Sequence, residues 1–149
     1  MIPKPDLLVY SPTNELQVVV EVKTKRGASD QWASHLRRNL IAHSIMPKAK
    51  FFLLALPDHL WLWRDTETPE DVPPDFKVPT RDVLRPYLRH WPKDFPTENT
   101  FELLVKSWLS DLAHSHLSKD AVPSELRWLF DSGLYDSIRF GNVERETFA

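Results

Sequence analysis

At 149 residues, with 42% hydrophobic and 27% charged residues, the chain has the size and make-up of one globular domain with a substantial core. It has no cysteine, which excludes disulfides and thiolate metal sites and fits a cytoplasmic protein. A formal net charge of −2 excludes a globally basic nucleic-acid binder, no apolar run reaches membrane-spanning length, and the first residues lack the charged-then-apolar pattern of a secretory leader.

The stretch Pro5-Asp6-Leu7-Leu8-Val9-Tyr10, the polar turn Ser11-Pro12-Thr13-Asn14 and the run from Leu16 to Lys23 predict a β-hairpin. Side chains alternate along a strand, so Glu21 and Lys23 share a face with Gln17 and Val19, while Leu16, Val18, Val20 and Val22 point to the core. Closed at the turn 12–14, the hairpin sets Asp6 beside the Glu21–Lys23 end of its partner. Two carboxylates and an ammonium then converge. An all-oxygen donor set suits a hard ion such as Mg²⁺. A lysine beside that ion suits orienting a water or neutralising charge on a phosphate. A second pattern of the same letters, Pro57-Asp58 with Asp75-Phe76-Lys77, sits among Pro69, Pro73, Pro74 and Pro79, where no paired strand is expected.

After the polar loop 24–29, Ser29 caps a helix with Asp30 in its first turn. Trp32, Ala33, Leu36, Leu40, Ala42 and Ile45 keep helical spacing to Met46, and Pro47 ends it. The apolar run 51–56 reads as a strand buried on both faces. After the Pro57-Asp58 turn, the run 59–64 returns with Leu and Trp on opposite faces and with indole N–H groups that need partners. The acidic, proline-rich stretch 64–79 reads as a surface loop. Thr80 caps a short helical piece that Pro86 limits, Tyr87, Leu88 and Trp91 pack back onto the body, and Pro92 and Pro96 bracket a turn. Asn99-x-x-Glu102 reads as a capping box for a helix to about His116, with a core stripe of Phe101, Leu104, Val105, Trp108, Leu109 and Leu112. Ser124 caps a shorter helix through Phe130, Gly133 stops it, and a helical turn and an edge strand follow around Ile138 and Phe140.

Charge is unevenly placed. Residues 23–50 carry seven bases and one acid, and residues 65–75 carry five acids and no base. Lys25, Arg26, Arg37 and Arg38 are therefore candidate nucleic-acid contacts, with a solvated helix face and loops as the alternative.

At Pro5-Asp6, opening one strand, and Glu21-Val22-Lys23, ending the next, the chain resembles the PD-(D/E)XK nuclease superfamily. The resemblance implies a restriction-endonuclease-like core. In it Asp6 and Glu21 hold Mg²⁺ or Mn²⁺, the backbone carbonyl of Val22 is a further ligand, and Lys23 acts in catalysis. It also implies a helix directly after the Glu-x-Lys strand. Gln31 is of the type that faces the metal there, an exposed first-turn glutamine being the other reading. The general layout is similar to that of small bacterial proteins of the superfamily. The family core begins with a helix and a strand ahead of the hairpin, and four residues precede Pro5 here. Three accounts stay open: a start set downstream of the true one, an edge supplied by residues 80–149 or by a second copy of the chain, and a degenerate relative. An open edge on the Asp6 strand would favour a homodimer.

The expectation is an α/β fold, a central mixed β-sheet flanked by helices with an all-helical C-terminal extension. It forms one domain over 1–149, with a nuclease-like core at 1–64, a proline-rich acidic connector at 65–98 and the helical extension at 99–149. The expected function is Mg²⁺-dependent hydrolysis of phosphodiester bonds in nucleic acid, DNA in the first instance, with no membrane partner. A non-catalytic nucleic-acid- or protein-binding module on the same fold is the rival. An assembly protein that uses an exposed sheet edge is a third reading.

Overall fold

The computed structural model describes residues 5–43, 46–93, 95 and 97–145. β1 (Leu7–Tyr10) and β2 (Leu16–Val22) form the expected antiparallel hairpin, with Leu7 opposite Val20 and Val9 opposite Val18. The chain crosses over through α1 (Asp30–Ala42) and returns as β3 (Phe51–Ala55), parallel to β2, with Val22 beside Ala55. β4 (His59–Trp63) pairs antiparallel with β3, and β5 (Phe76–Pro79) with β4. The chain is then helical: α2 (Thr80–Leu84), a 3-10 turn (Arg85–Tyr87), α3 (Glu98–Ala113), a second 3-10 turn (Ser124–Leu126), α4 (Trp128–Asp131) and α5 (Leu134–Ile138). β6 (Asn142–Arg145) closes on the free side of β1, so the sheet order is β5-β4-β3-β2-β1-β6. This is a mixed α/β sheet flanked by helices with a helical C-terminal part, as the sequence implies. No described helix is long and apolar enough to cross a membrane.

Strand alternation sorts the side chains into two cores. Leu7, Val9, Val18, Val20, Leu53 and Leu62 meet Phe101, Val105, Leu109, Tyr135 and Ile138 of the C-terminal helices. On the other face Phe52, Leu54, Trp61 and Trp63 pack against Ala33, Trp32 and Leu36 of α1. Each large apolar side chain so buried contributes roughly 1.5–3 kcal/mol. The two indoles of β4 are satisfied. Trp61 Nε1 donates to Asp30 Oδ1 at 2.9 Å, and Trp63 Nε1 donates to the Val72 carbonyl at 2.8 Å.

Residues 76–79 form a strand despite the prolines around them. β5 is an edge strand, and Pro79 closes it, where a missing N–H is tolerated. α1 ends at Ala42, before Met46, and Ile45 and Pro96 lie outside the described residues. α3 is capped by the Thr97 hydroxyl, which accepts the Thr100 N–H at 3.0 Å, and not by Asn99; it ends at Ala113, short of His116. The last strand falls at 142–145 because 134–138 is helical and Phe140 turns the chain at φ 63°. Gly141 then passes so near β1 that a Cβ there would lie 1.9 Å from the Tyr10 carbonyl oxygen. β6 fills the edge beside β1 that the sequence leaves open, which removes the edge-pairing argument for a homodimer. The remaining edges are four residues each and carry Lys77, Pro79, Glu144 and Arg145, features that discourage further strand pairing.

The basic stretch 23–50 and the acidic stretch 65–75 are paired by the fold, through one buried arginine and two exposed ion pairs. Arg37 is fully buried. Its Nε and Nη2 donate to the Asp65 carbonyl at 3.0 and 2.7 Å, and its Nη1 donates to the Thr68 and Glu70 carbonyls at 3.0 and 3.2 Å. Nη2 also reaches Asp65 Oδ1 at 3.1 Å. Hydrogen bonding from the Thr68 side chain, and then from the Thr68 and Glu67 N–H groups, holds the Asp65 carboxyl down at about 2. Arg38 pairs with Asp71 and Lys48 with Glu67, both at 3.5 Å. Arg37 is thus the latch that fastens the proline-rich connector to α1, and its guanidinium is not presented to a phosphate.

Arg37→Ala is expected to lower the free energy of urea unfolding by about 3 kcal/mol, because buried loop carbonyls lose their donor. Arg38→Ala, at a half-exposed pair, should change it by under about 1 kcal/mol. Equal effects in the two titrations would remove the latch role.

Candidate active site

The hairpin register puts Asp6 next to Glu21. The Asp6 N–H donates to the Val20 carbonyl at 3.1 Å, and its Oδ2 accepts the Val22 N–H at 2.7 Å. The carboxylate therefore stands where a strand partner would be, at the end of β2. Glu21 lies beside Leu54 of β3 and is 7% exposed. Lys23 is anchored by its N–H to the Ala55 carbonyl at 3.1 Å, and its Nζ lies 3.5 Å from Glu21 Oε1. The three predicted residues are brought together as strand alternation requires. Val22 enters the site through its N–H.

A third carboxyl comes from α3. Glu102 lies close enough to Asp6 for that carboxylate to raise it, and Arg145 of β6 donates to it from Nε at 2.6 Å. Arg145 Nη2 also donates to Asn99 Oδ1, one turn earlier on α3. Glu98 adds negative charge towards Asp6. The sequence assigns Glu102 to a capping box. With Thr97 as the true cap, Glu102 lies deeper in the helix, on the border of the stripe formed by Phe101, Val105 and Leu109. A glutamate beside a core stripe needs a partner, and that is the signal by which it could have been found.

Burial, and then the charge of Asp6, push the Glu21 carboxyl up to about 8, with Lys23 offsetting only part of the rise. Asp6 is also raised, chiefly by burial, while the Val22 N–H pulls the other way. Glu102 is raised by burial and by Asp6, against Arg145. Glu21 and Glu102 are each raised by burial and by the Asp6 charge, so the three carboxyls do not all ionise cheaply, and Glu21, at about 8, is the one that keeps its proton. The cluster therefore holds a proton near neutrality. An oxygen-only donor set of this kind suits a hard divalent cation, whose charge would displace that proton. Among the described residues no three His, Cys, Asp or Glu side chains form a ready-built metal cage. What fits is two side-chain ligands, Asp6 and Glu21, with backbone and water supplying the rest.

The other candidates lie elsewhere. Gln31 is exposed and lines a shallow cleft with Val72, Pro73 and Pro74. Its neighbour Asp30 is bonded to Trp61 of β4 and, at 2.8 Å, to Lys77 of β5, so this end of α1 sits over the strands beyond β3. Lys25 holds its Nζ 5.4 Å over the Trp32 ring. Arg26 donates to Asp58 Oδ1 at 3.2 Å and to the Pro92 carbonyl at 3.1 Å, and the Gly27 N–H donates to Asp58 Oδ2 at 2.8 Å. Asp58 is thus a clip for the loop after β2, and the second letter pattern to which it belongs assembles no site. Arg37 and Arg38 are taken up by the acidic connector.

The folded-state pKa of Glu21 lies above its ordinary 4.5. Between about 4.5 and about 8 the folded chain keeps a proton that the unfolded chain has lost, so stability falls as pH rises through that window and is level above it. Relative to Glu21→Gln, the wild type is expected to lose a few kcal/mol of unfolding free energy across this range. Parallel stability curves for the two proteins would show that Glu21 is already ionised at neutral pH. Comparison of the chain with protein-family models, with curated proteins and with solved structures gives no match, so the geometry of the carboxylate cluster alone carries its functional reading.

Proposed function

We propose that the chain is a Mg²⁺- or Mn²⁺-dependent endonuclease of PD-(D/E)XK type that hydrolyses phosphodiester bonds in nucleic acid. The observation that carries this reading is the pair of carboxylates, half-buried Asp6 and buried Glu21, set together at adjoining strand ends, with Lys23 Nζ 3.5 Å from Glu21. Buried like charges of this sort are characteristic of functional sites. The topology supports it. The hairpin β1-β2 is followed directly by α1 and β3, the order that the resemblance implies, and β6 covers the edge beside β1.

In this reading Asp6, Glu21 and the Val22 carbonyl hold the ion, which supplies Lewis acidity to a water and to the scissile phosphate. Lys23 orients that water or neutralises charge that develops on the phosphate. Glu102, fixed by Arg145, is a positioning residue: it keeps the Asp6 carboxyl turned into the site. One rival is a non-catalytic binding module on the same fold. That rival requires nucleic-acid binding without metal, unaffected by Lys23→Ala.

Calorimetric titration with Mn²⁺ near pH 7 should show binding whose heat changes with the ionisation enthalpy of the buffer, because Glu21 must give up its proton. Glu21→Ala should abolish that binding and plasmid cleavage together, and Lys23→Ala should spare binding while slowing cleavage by about a hundredfold or more. A wild-type chain that takes up no Mn²⁺ would sink the nuclease reading.

A further inference from the structure

We propose that the chain grips the phosphodiester backbone of its nucleic acid in a basic cleft formed by the turns after β5, lined by Arg81, Arg85, Leu88, Arg89, His90 and Trp91. The choice of nucleic acid as the polyanion rests on the nuclease reading. The cleft has a volume of about 350 Å³, within the range of ligand sites. Arg81, Arg85, Arg89 and His90 are all exposed. None of the three guanidinium groups has a hydrogen-bond or ion-pair partner among the described residues, whereas Arg26, Arg37, Arg38 and Arg145 are each paired with a carboxylate. Asp82 is the acid of this segment. It faces the other way, into an apolar pocket with Val83, Tyr87 and Leu112. Like charges four residues apart on a helical turn repel, so this arrangement is unfavourable until an anion enters it. Arginine is suited to that role because its planar fork matches phosphate oxygens in pairs.

The cleft stands at the carboxylate end of the sheet. Thr80, heading α2, donates from Oγ1 to the Leu56 carbonyl at 2.5 Å and from its N–H to the Asp58 carbonyl at 3.2 Å. Leu56 directly follows Ala55, which lies beside Val22. From the site, the loop after Lys23 reaches the cleft through Arg26, which donates to the carbonyl of Pro92, next to Trp91. On the other side Trp91 packs edge-on against Phe95 at 5.6 Å, and Phe95 packs on Phe101 at 4.8 Å, one residue before Glu102. A strand held by the arginines would extend towards Asp6, Glu21 and Lys23 along the loop that joins Lys23 to the cleft.

The test is fluorescence anisotropy with a labelled duplex DNA oligonucleotide in EDTA, over a range of salt. The full chain is compared with Arg85→Gln/Arg89→Gln, with Arg81→Gln/Arg85→Gln and with Arg38→Gln. Each paired variant should weaken binding about tenfold or more and make the slope of log K against log salt shallower by about 2. Arg38→Gln should stay within about twofold of wild type, since its charge is already paired. Mn²⁺ binding at Asp6 and Glu21 should be unchanged in every variant, which separates failure of the cleft from failure of the nuclease reading. Affinity and slope equal to wild type in both paired variants would overturn the proposal. So would competition by polyglutamate as strong as that by unlabelled duplex, which would make the cleft a site for acidic protein.

Discussion

The hydrogen bond from the Val22 N–H to the Asp6 carboxylate joins the end of β2 to the start of β1, and the rest of the site depends on it. It turns Asp6 inward, where burial raises the cost of its charge. Glu21 on the neighbouring strand then feels that charge at close range, in a pocket that water scarcely enters. Glu102 and Arg145 close the third side from the helix and strand that pack last against the hairpin. Fully buried Leu7 and Val20, paired across the hairpin, hold the strands that bear the carboxylates rigid. Hydrophobic burial of the sheet thus sustains a polar cluster that is unstable on its own.

A near-neutral chain can still be strongly polarised. The bases on and beyond α1 look available when the sequence is read along its length. The fold returns the acidic connector to them: Arg37, Arg38 and Lys48 meet Asp65, Asp71 and Glu67. After β5, three arginines line one cleft with no carboxylate partner among the described residues. Net charge and linear charge density say little about where a positive surface lies once the chain has neutralised part of itself. What counts is which bases the tertiary structure leaves unanswered.

Most of the sheet was legible because its signals are local. Alternation at 16–22, the apolar run at 51–55 and the Leu-Trp alternation at 59–63 each define a strand by period and burial. Asp6, Glu21 and Lys23 followed from the same alternation. What the sequence did not disclose depends on contacts far along the chain. Arg37 reads as a surface base on a helix, and its partners lie about thirty residues away in a loop. Glu102 mimics a capping residue, and Arg145, which fixes it, sits on a strand with little apolar content. β5 was masked by prolines that are harmless at a sheet edge. β6 carries its signal in Gly141, whose need to pass close to the Tyr10 carbonyl is visible only once β1 is in place.

The position of β6 has a consequence for how the protein comes into being on the ribosome. β1 spans residues 7–10, and its outer partner spans residues 142–145. At a synthesis rate of about 5–20 residues per second, the first strand waits several seconds, of order ten, before the segment that covers its edge exists. During that interval the Asp6 strand has one paired side, and Glu102 lacks the arginine that aims it. The carboxylate cluster therefore completes at the end of folding, when the pairing of greatest sequence separation closes. Until β6 docks, Glu102 is without the arginine that pairs with it.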